Sequence, residues 1–176
     1  SKTDASPLVA AHAHNDYAHR RPLLDALDQG FCNVEADVFL VEGQLLVAHS
    51  VLELRRERTL EKLYLDPLRE RIKANGGKVY RNGPDFTLMI DLKTDAGATY
   101  GAIAKSLANY ADMFTTVRDG KVERRGVSIV LSGNRPRDIV EAEKVRYVGI
   151  DGRMGDLESD APAHLIPWLS DDWSKH

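Results

Sequence analysis

Val34, Ala36 and Val38 alternate with Glu35, Asp37 and Phe39 in the segment FCNVEADVFLVEGQLLVAHS, residues 31–50. Alternation with period two predicts a strand, and side chains two apart on a strand share a face. The carboxylates of Glu35 and Asp37 therefore point the same way. Glu42-Gly43 predicts a turn, and Leu45 to Ala48 a second extended run that ends at His49. Two acids and an imidazole are thus drawn into one neighbourhood. Paired carboxylates on an apolar strand are costly unless something neutralises them, which a divalent cation does well. The plainer reading is a surface strand with an acidic outer face.

On either side of this segment the pattern switches between helical and extended periods. Leu8 to Ala11 predicts a first strand, with His12 and His14 on one side at or just past its end. Pro22 opens a short amphipathic helix carrying Leu23, Leu24, Ala26 and Leu27, and Gly30 ends it. Residues 51–76 predict charged helix, broken in two by Pro67 and ended by Gly76-Gly77, and residues 78–85 a turn-rich connection. FTLMIDL, from Phe86 to Leu92, is the clearest buried strand, with Asp91 and Lys93 on one face. A helix from Thr99 to Phe114 and a polar connection, RDGKVERRG, follow. Val127 to Leu131 predicts a strand ending in Ser132-Gly133-Asn134, and Pro136 opens a further helix. Tyr147 to Ile150 and Leu165 to Leu169 predict the last two strands.

Alternating strands and helices predict an α/β fold with a parallel sheet. Polar residues gathered at the carboxyl ends of strands fit the active face of a (β/α) barrel of the TIM type. About six strands are visible, whereas a full barrel has eight and takes about 250 residues. The expectation is one domain over residues 1–176, either a barrel whose C-terminal part is missing or a sheet that forms an open or incomplete barrel.

Composition narrows the partners. The 176 residues are 43% apolar, enough for a real core, and carry a net charge of −3. Nothing in that balance favours nucleic acid, for which a basic face would be expected. No run of about 18 apolar residues predicts a transmembrane segment. Cys32, the single cysteine, has no internal disulfide partner and reads as a small core residue. The opening SKTDASPLV lacks a signal peptide. A secreted or periplasmic location follows only if Ser1 succeeds a removed one. The oligomeric state is left open.

The candidate chemistry falls on three strands: His12 and His14 on the first, Glu35 and Asp37 on the second with His49 behind, Asp91 and Lys93 on the third. Three carboxylates without a cysteine pair suit a hard cation, Mg²⁺ or Ca²⁺. Imidazoles suit general acid and base work because they titrate near neutral pH. Lys93 suits a phosphate oxygen. Together these parts suit metal-assisted displacement at a phosphodiester.

Three segments then carry a resemblance: AHAHNDY followed by RPLLDAL, VEADVFLVEGQLLVAH, and MIDLKT, spanning Val9 to Thr94. They resemble the phosphatidylinositol-specific phospholipase C-like phosphodiesterase superfamily, which includes glycerophosphodiester phosphodiesterases and sphingomyelinase D. Within it they are most similar to a branch with HNDY, EAD and LLVAH segments, related to a fungal protein linked to mitochondrial inheritance. The resemblance implies a TIM-type barrel and a metal-dependent hydrolase of glycerophosphodiester or phospholipid-type substrates. It implies His14 and His49 as the acid/base pair, with His12 as the alternative on the same face. It also implies Glu35, Asp37 and Asp91 as metal ligands and Lys93 as a phosphate contact. Where glycerophosphodiesterases have His-Arg-Gly, this chain has His14-Asn15-Asp16, so an arginine is replaced by Asn15. Asn15, Asn134 and Arg153 complete the substrate-binding candidates.

Two further readings compete. His12-x-His14 resembles the zinc site of amidohydrolases and related phosphoesterases, although later histidines at strand ends are lacking. A barrel that binds a ligand without turning it over is the other, because fold does not fix function. Asn134 and Ser132 also suit helix-start caps. Asp151, at a strand end, and Trp168 and Trp173 have bland readings as strand-end, core or rim residues.

Overall fold

The computed structural model describes residues 5–14, 16–152, 165, 168 and 169, with the backbone alone for Val9, Ala10, Trp168 and Leu169. Strand β1 (Leu8–Ala13) leads through a short turn at Asp16–Ala18 to helix α1 (Leu24–Asp28) and strand β2 (Phe31–Val41). Strand β3 (Gln44–Val47) returns antiparallel on β2. The turn between them, Glu42-Gly43, has φ of 49° and 79°. Two successive left-handed residues match the twist of paired strands, and glycine takes the second at no steric cost. A wide π-type turn at Glu61–Leu65 runs into α2 (Asp66–Ala74), followed by β4 (Phe86–Leu92) and α3 (Ala96–Ala108). Then come β5 (Thr116–Arg118), β6 (Lys121–Glu123), β7 (Val127–Gly133) and α4 (Arg137–Ala142). Strands β8 (Val145–Arg146), β9 (Val148–Gly152) and β10 (Trp168–Leu169) close the described chain.

The main sheet has the order β1-β2-β4-β7-β9-β10, and every neighbouring pair in that path is parallel. Its strands follow one another in chain order. Val34, Ala36, Val38, Leu88, Ile90 and Leu92 face the helices, in one core with Leu27, Leu65, Leu68, Ile103 and Leu107. Burial of each such side chain contributes about 1.5–3 kcal/mol, which fixes the register of both inner strands. The opposite face of the same strands therefore carries Glu35, Asp37, Met89 and Asp91. The fold is α/β with a mainly parallel sheet. Among the described residues the strands do not close into a barrel, and β1 and β10 stand at the edges of the path. No helix among the described residues is long and apolar enough to cross a membrane.

Several boundaries differ from those the sequence predicts. Strand β1 runs to Ala13, so His12 lies within it and His14 just past it. Pro67 does not break a helix: it sits in the first turn of α2, where its missing N–H costs little. Helix α3 starts at Ala96 because the Asp95 carboxylate accepts the Ala98 N–H at 2.8 Å. It ends at Ala108, well before Phe114. The polar connection RDGKVERRG contains β6 and the end of β5, which pair with β8 as a small antiparallel sheet. All three β6 residues are exposed, so no alternation marks that strand.

Candidate functional site

The carboxyl ends of β1, β2, β4 and β7 bring the candidate residues together. Asp37 on β2 is the register partner of Asp91 on β4, and Asp91 is that of Ser132 on β7. Lys93, just beyond β4, places Nζ 3.4 Å from Asp37 Oδ2 and 3.1 Å from Asp91 Oδ2. On the other side, His12 Nε2 and His14 Nδ1 lie 3.2 and 2.8 Å from Glu35 Oε2. An ionised carboxylate only accepts, so both nitrogens carry the shared protons. The Glu35, Asp37 and Asp91 side chains are 14%, 6% and 17% exposed, whereas His14 is 73% exposed. The acids are shielded while the His14 imidazole faces solvent.

His49 lies at the end of the hairpin return and joins this group through Tyr17. Tyr17 Oη donates to Asp37 Oδ2 at 2.8 Å and lies 3.2 Å from His49 Nδ1. The His49 backbone N–H donates to Glu53 Oε2 at 3.2 Å. Tyr17, His19, His49, Glu53 and Arg58 line a cleft of about 510 Å³. Arg58 also donates to the Tyr17 carbonyl. The turn that delivers Tyr17 is held by Asp16. This buried carboxylate accepts the Leu23 N–H and, at 2.9 Å, the Tyr64 hydroxyl.

Burial and charge pull the ionisable groups in opposite directions. Burial alone would raise the Glu35 carboxyl, but the His12 hydrogen bond and the nearby His14, His12 and Lys93 charges outweigh it, and the net shift is downward. Asp91 goes up: burial dominates, Asp37 and Glu35 add repulsion, and Lys93 offsets only part. Burial would lower Lys93, yet its bonds and charges with Asp91 and Asp37 carry it upward. The Tyr17 phenol is pushed far up by burial and then by its bond to Asp37.

Glu35, Asp37 and Asp91 each offer an oxygen within 4.8 Å of the others, a spacing that bonds of about 2.0–2.6 Å to one hard cation span. Asp91 Oδ1 and Ser132 Oγ are buried without a hydrogen-bond partner among the described residues, which leaves acceptors for such an ion. This set fits Mg²⁺ or Ca²⁺ by charge and donor type. A second group, His12, His14 and Glu35, meets the same spacing with a mixed nitrogen–oxygen set. Gly133 completes the wall. Its φ is +68°, and a Cβ there would collide with Asp91 Oδ1 and the Leu92 carbonyl.

Not every predicted residue joins the cluster. Asn134 is exposed and ties two loops together, its backbone N–H donating to the Leu92 carbonyl and its Nδ2 to that of Thr94. Nor is it a helix cap, since α4 starts after Pro136 without a side-chain cap. Asn15, Arg153 and Trp173 lie outside the described residues, as does the Trp168 side chain. Asp151 is buried near the end of β9. Two residues that sequence reasoning passed over are central: Tyr17 and Asp16. The signal was present in HNDY, where an acid and an aromatic, Asp16-Tyr17, follow two residues after His14.

A model of the AIM6-like phosphodiesterase domain matches residues 2–151, a stretch holding every candidate except Arg153. The chain belongs to that family. Altered inheritance of mitochondria protein 6 of Eremothecium gossypii is 34% identical over 176 residues, covering 89% of this chain and 45% of the relative. The homolog from Arthroderma benhamiae is 30% identical over 174 residues, covering 85% of this chain and 54% of its own. The Lachancea thermotolerans protein is 35% identical over 178 residues, at 88% and 41%. This AIM6-like chain thus spans about half the length of the curated relatives it matches. No solved structure matches it.

Proposed function

We propose that this AIM6-like domain is a metal-dependent phosphodiester hydrolase acting on a glycerophosphodiester or phospholipid-type substrate, a member of the superfamily that includes glycerophosphodiester phosphodiesterases, sphingomyelinase D and phosphatidylinositol-specific phospholipases C. One observation carries the reading: three shielded carboxylates from adjacent strands converge between imidazoles on either side. Glu35, Asp37 and Asp91 would hold Mg²⁺ or Ca²⁺, which when bound withdraws charge from a non-bridging phosphate oxygen. Lys93, already beside Asp91, supports the same negative charge on the substrate. One imidazole of the His14/His49 pair takes the proton from the attacking water or a neighbouring substrate hydroxyl. The other gives its proton to the leaving oxygen. His14 is oriented for this by Glu35, which fixes its Nδ1 and turns the rest of the ring to solvent. The sequentially ordered parallel sheet, with helices on the face opposite the acids, is read as an arc of a TIM-type barrel within a single domain.

The test is hydrolysis of bis(p-nitrophenyl) phosphate, then of glycerophosphodiesters and sphingomyelin, with and without EDTA. Replacing His14 or His49 by Ala should lower turnover roughly 10²–10⁴-fold with the fold intact. Activity indifferent to both chelator and replacements refutes the mechanism, and inactivity on every diester favours a binding-only role.

A second reading draws on the His12–His14–Glu35 group, which suits zinc as in amidohydrolase-type enzymes. Elemental analysis of protein purified without chelator separates the two, since stoichiometric zinc supports the second.

A further inference from the structure

Tyr17 touches both a member of the carboxylate group and His49. Its hydroxyl has one proton to give. Asp37, an acid paired with Lys93, accepts at Oδ2 and has nothing to donate as a carboxylate. The Tyr17 proton therefore points at Asp37. The 3.2 Å approach of His49 Nδ1 to the same hydroxyl oxygen then works in one direction only: the imidazole must donate. We propose that Tyr17 is a positioning residue that relays the Asp37 charge to His49 and locks the neutral ring in the Nδ1–H tautomer, leaving Nε2 as the basic nitrogen.

The surroundings support this role. Tyr17 is buried, and an ordinary phenol keeps its proton near neutral pH. Asp16, fastened to Leu23 and Tyr64, holds the turn from which the ring projects. Arg58 pins the Tyr17 carbonyl. The His49 backbone is anchored separately through Glu53, so ring and backbone are held from two directions. His49 lines the cleft, and a substrate-bound water or hydroxyl held there at Nε2 would meet the basic nitrogen. A neutral imidazole in water prefers the Nε2–H form, so the tautomer is something the fold must impose. The catalytic meaning of the lock rests on the hydrolase reading. It assigns His49 as the general base and leaves the acid role to His14.

Side-chain ¹⁵N NMR tests it directly, at a pH where the ring is neutral and with His49 assigned through His49→Gln. The wild-type His49 should show a protonated Nδ1 and an unprotonated Nε2. In Tyr17→Phe, checked for an unchanged near-ultraviolet dichroism spectrum, the Nε2–H form should take over. Turnover on any diester that the wild type cleaves should fall roughly ten- to a hundredfold, with kcat changing more than KM. A wild-type His49 in the Nε2–H form overturns the relay even if Tyr17→Phe does not fold. A tautomer that survives Tyr17→Phe overturns it too. The spectrum needs no substrate, so a lock found in a protein inactive on all diesters would sink the hydrolase reading and leave the lock standing.

Discussion

Asp37 and Asp91 stand opposite each other across the parallel ladder of β2 and β4, and the Lys93 ammonium touches both, at 3.4 and 3.1 Å. Two carboxylates this close repel unless a cation lies between them. With Glu35 beside them, one ammonium faces three acids. The cluster is therefore short of positive charge, and that shortage governs its response to substitution, metal and pH.

Replacing Lys93 by Met should expose the shortage. Without metal the variant should lose about 1–2 kcal/mol of stability, less than for a fully buried pair because the Lys93 side chain is 33% exposed. Added Mg²⁺ or Ca²⁺ should restore more stability to Lys93→Met than to the wild type. Melting curves in EDTA and in excess cation measure both. An equal loss in both media would mean that no cation sits among these acids.

Gly133→Ala tests the wall behind Asp91. The new Cβ meets a carboxylate oxygen and a backbone carbonyl, at a φ of +68° that alanine resists. A loss of about 1–3 kcal/mol is expected, with weaker cation binding because Asp91 must move. Denaturant unfolding and calorimetric titration with Mg²⁺ and Ca²⁺ read the two effects separately. Normal cation affinity in the variant would show that Asp91 is not a ligand.

Glu35 sets a pH dependence whose sign is fixed by its lowered pKa. A group that ionises more easily folded than unfolded stabilises the fold above its unfolded value, ordinarily 4.5, and loses that contribution as pH falls through the lower folded value. The wild type should therefore be more stable than Glu35→Gln near neutrality. The gap should narrow as pH drops below 4.5 and through the lower folded value. Thermal melts of both proteins across that range check it, and a gap that widens on acidification would contradict the charge assignment.

What the sequence determined by itself was local. The alternation in VEADV placed Val34, Ala36 and Val38 in the core and sent Glu35 and Asp37 to the other face, because the pleat of a strand is a property of each residue and its neighbours. The Glu42-Gly43 turn and the order of strands and helices were legible for the same reason. Element ends such as the Asp95 cap, and the exposed strand β6, were not, since capping and edge pairing leave little mark on hydrophobic period. Only the tertiary structure decided the rest. Strand pairing put Asp91 beside Asp37, and the pairing of β4 with β7 made Gly133 part of the Asp91 wall. It also turned a tyrosine 20 residues from Asp37 and 32 from His49 into the link between them. Hydrogen bonds between distant segments form only after the apolar faces have packed, and no periodicity in the chain encodes which polar atoms that packing brings face to face.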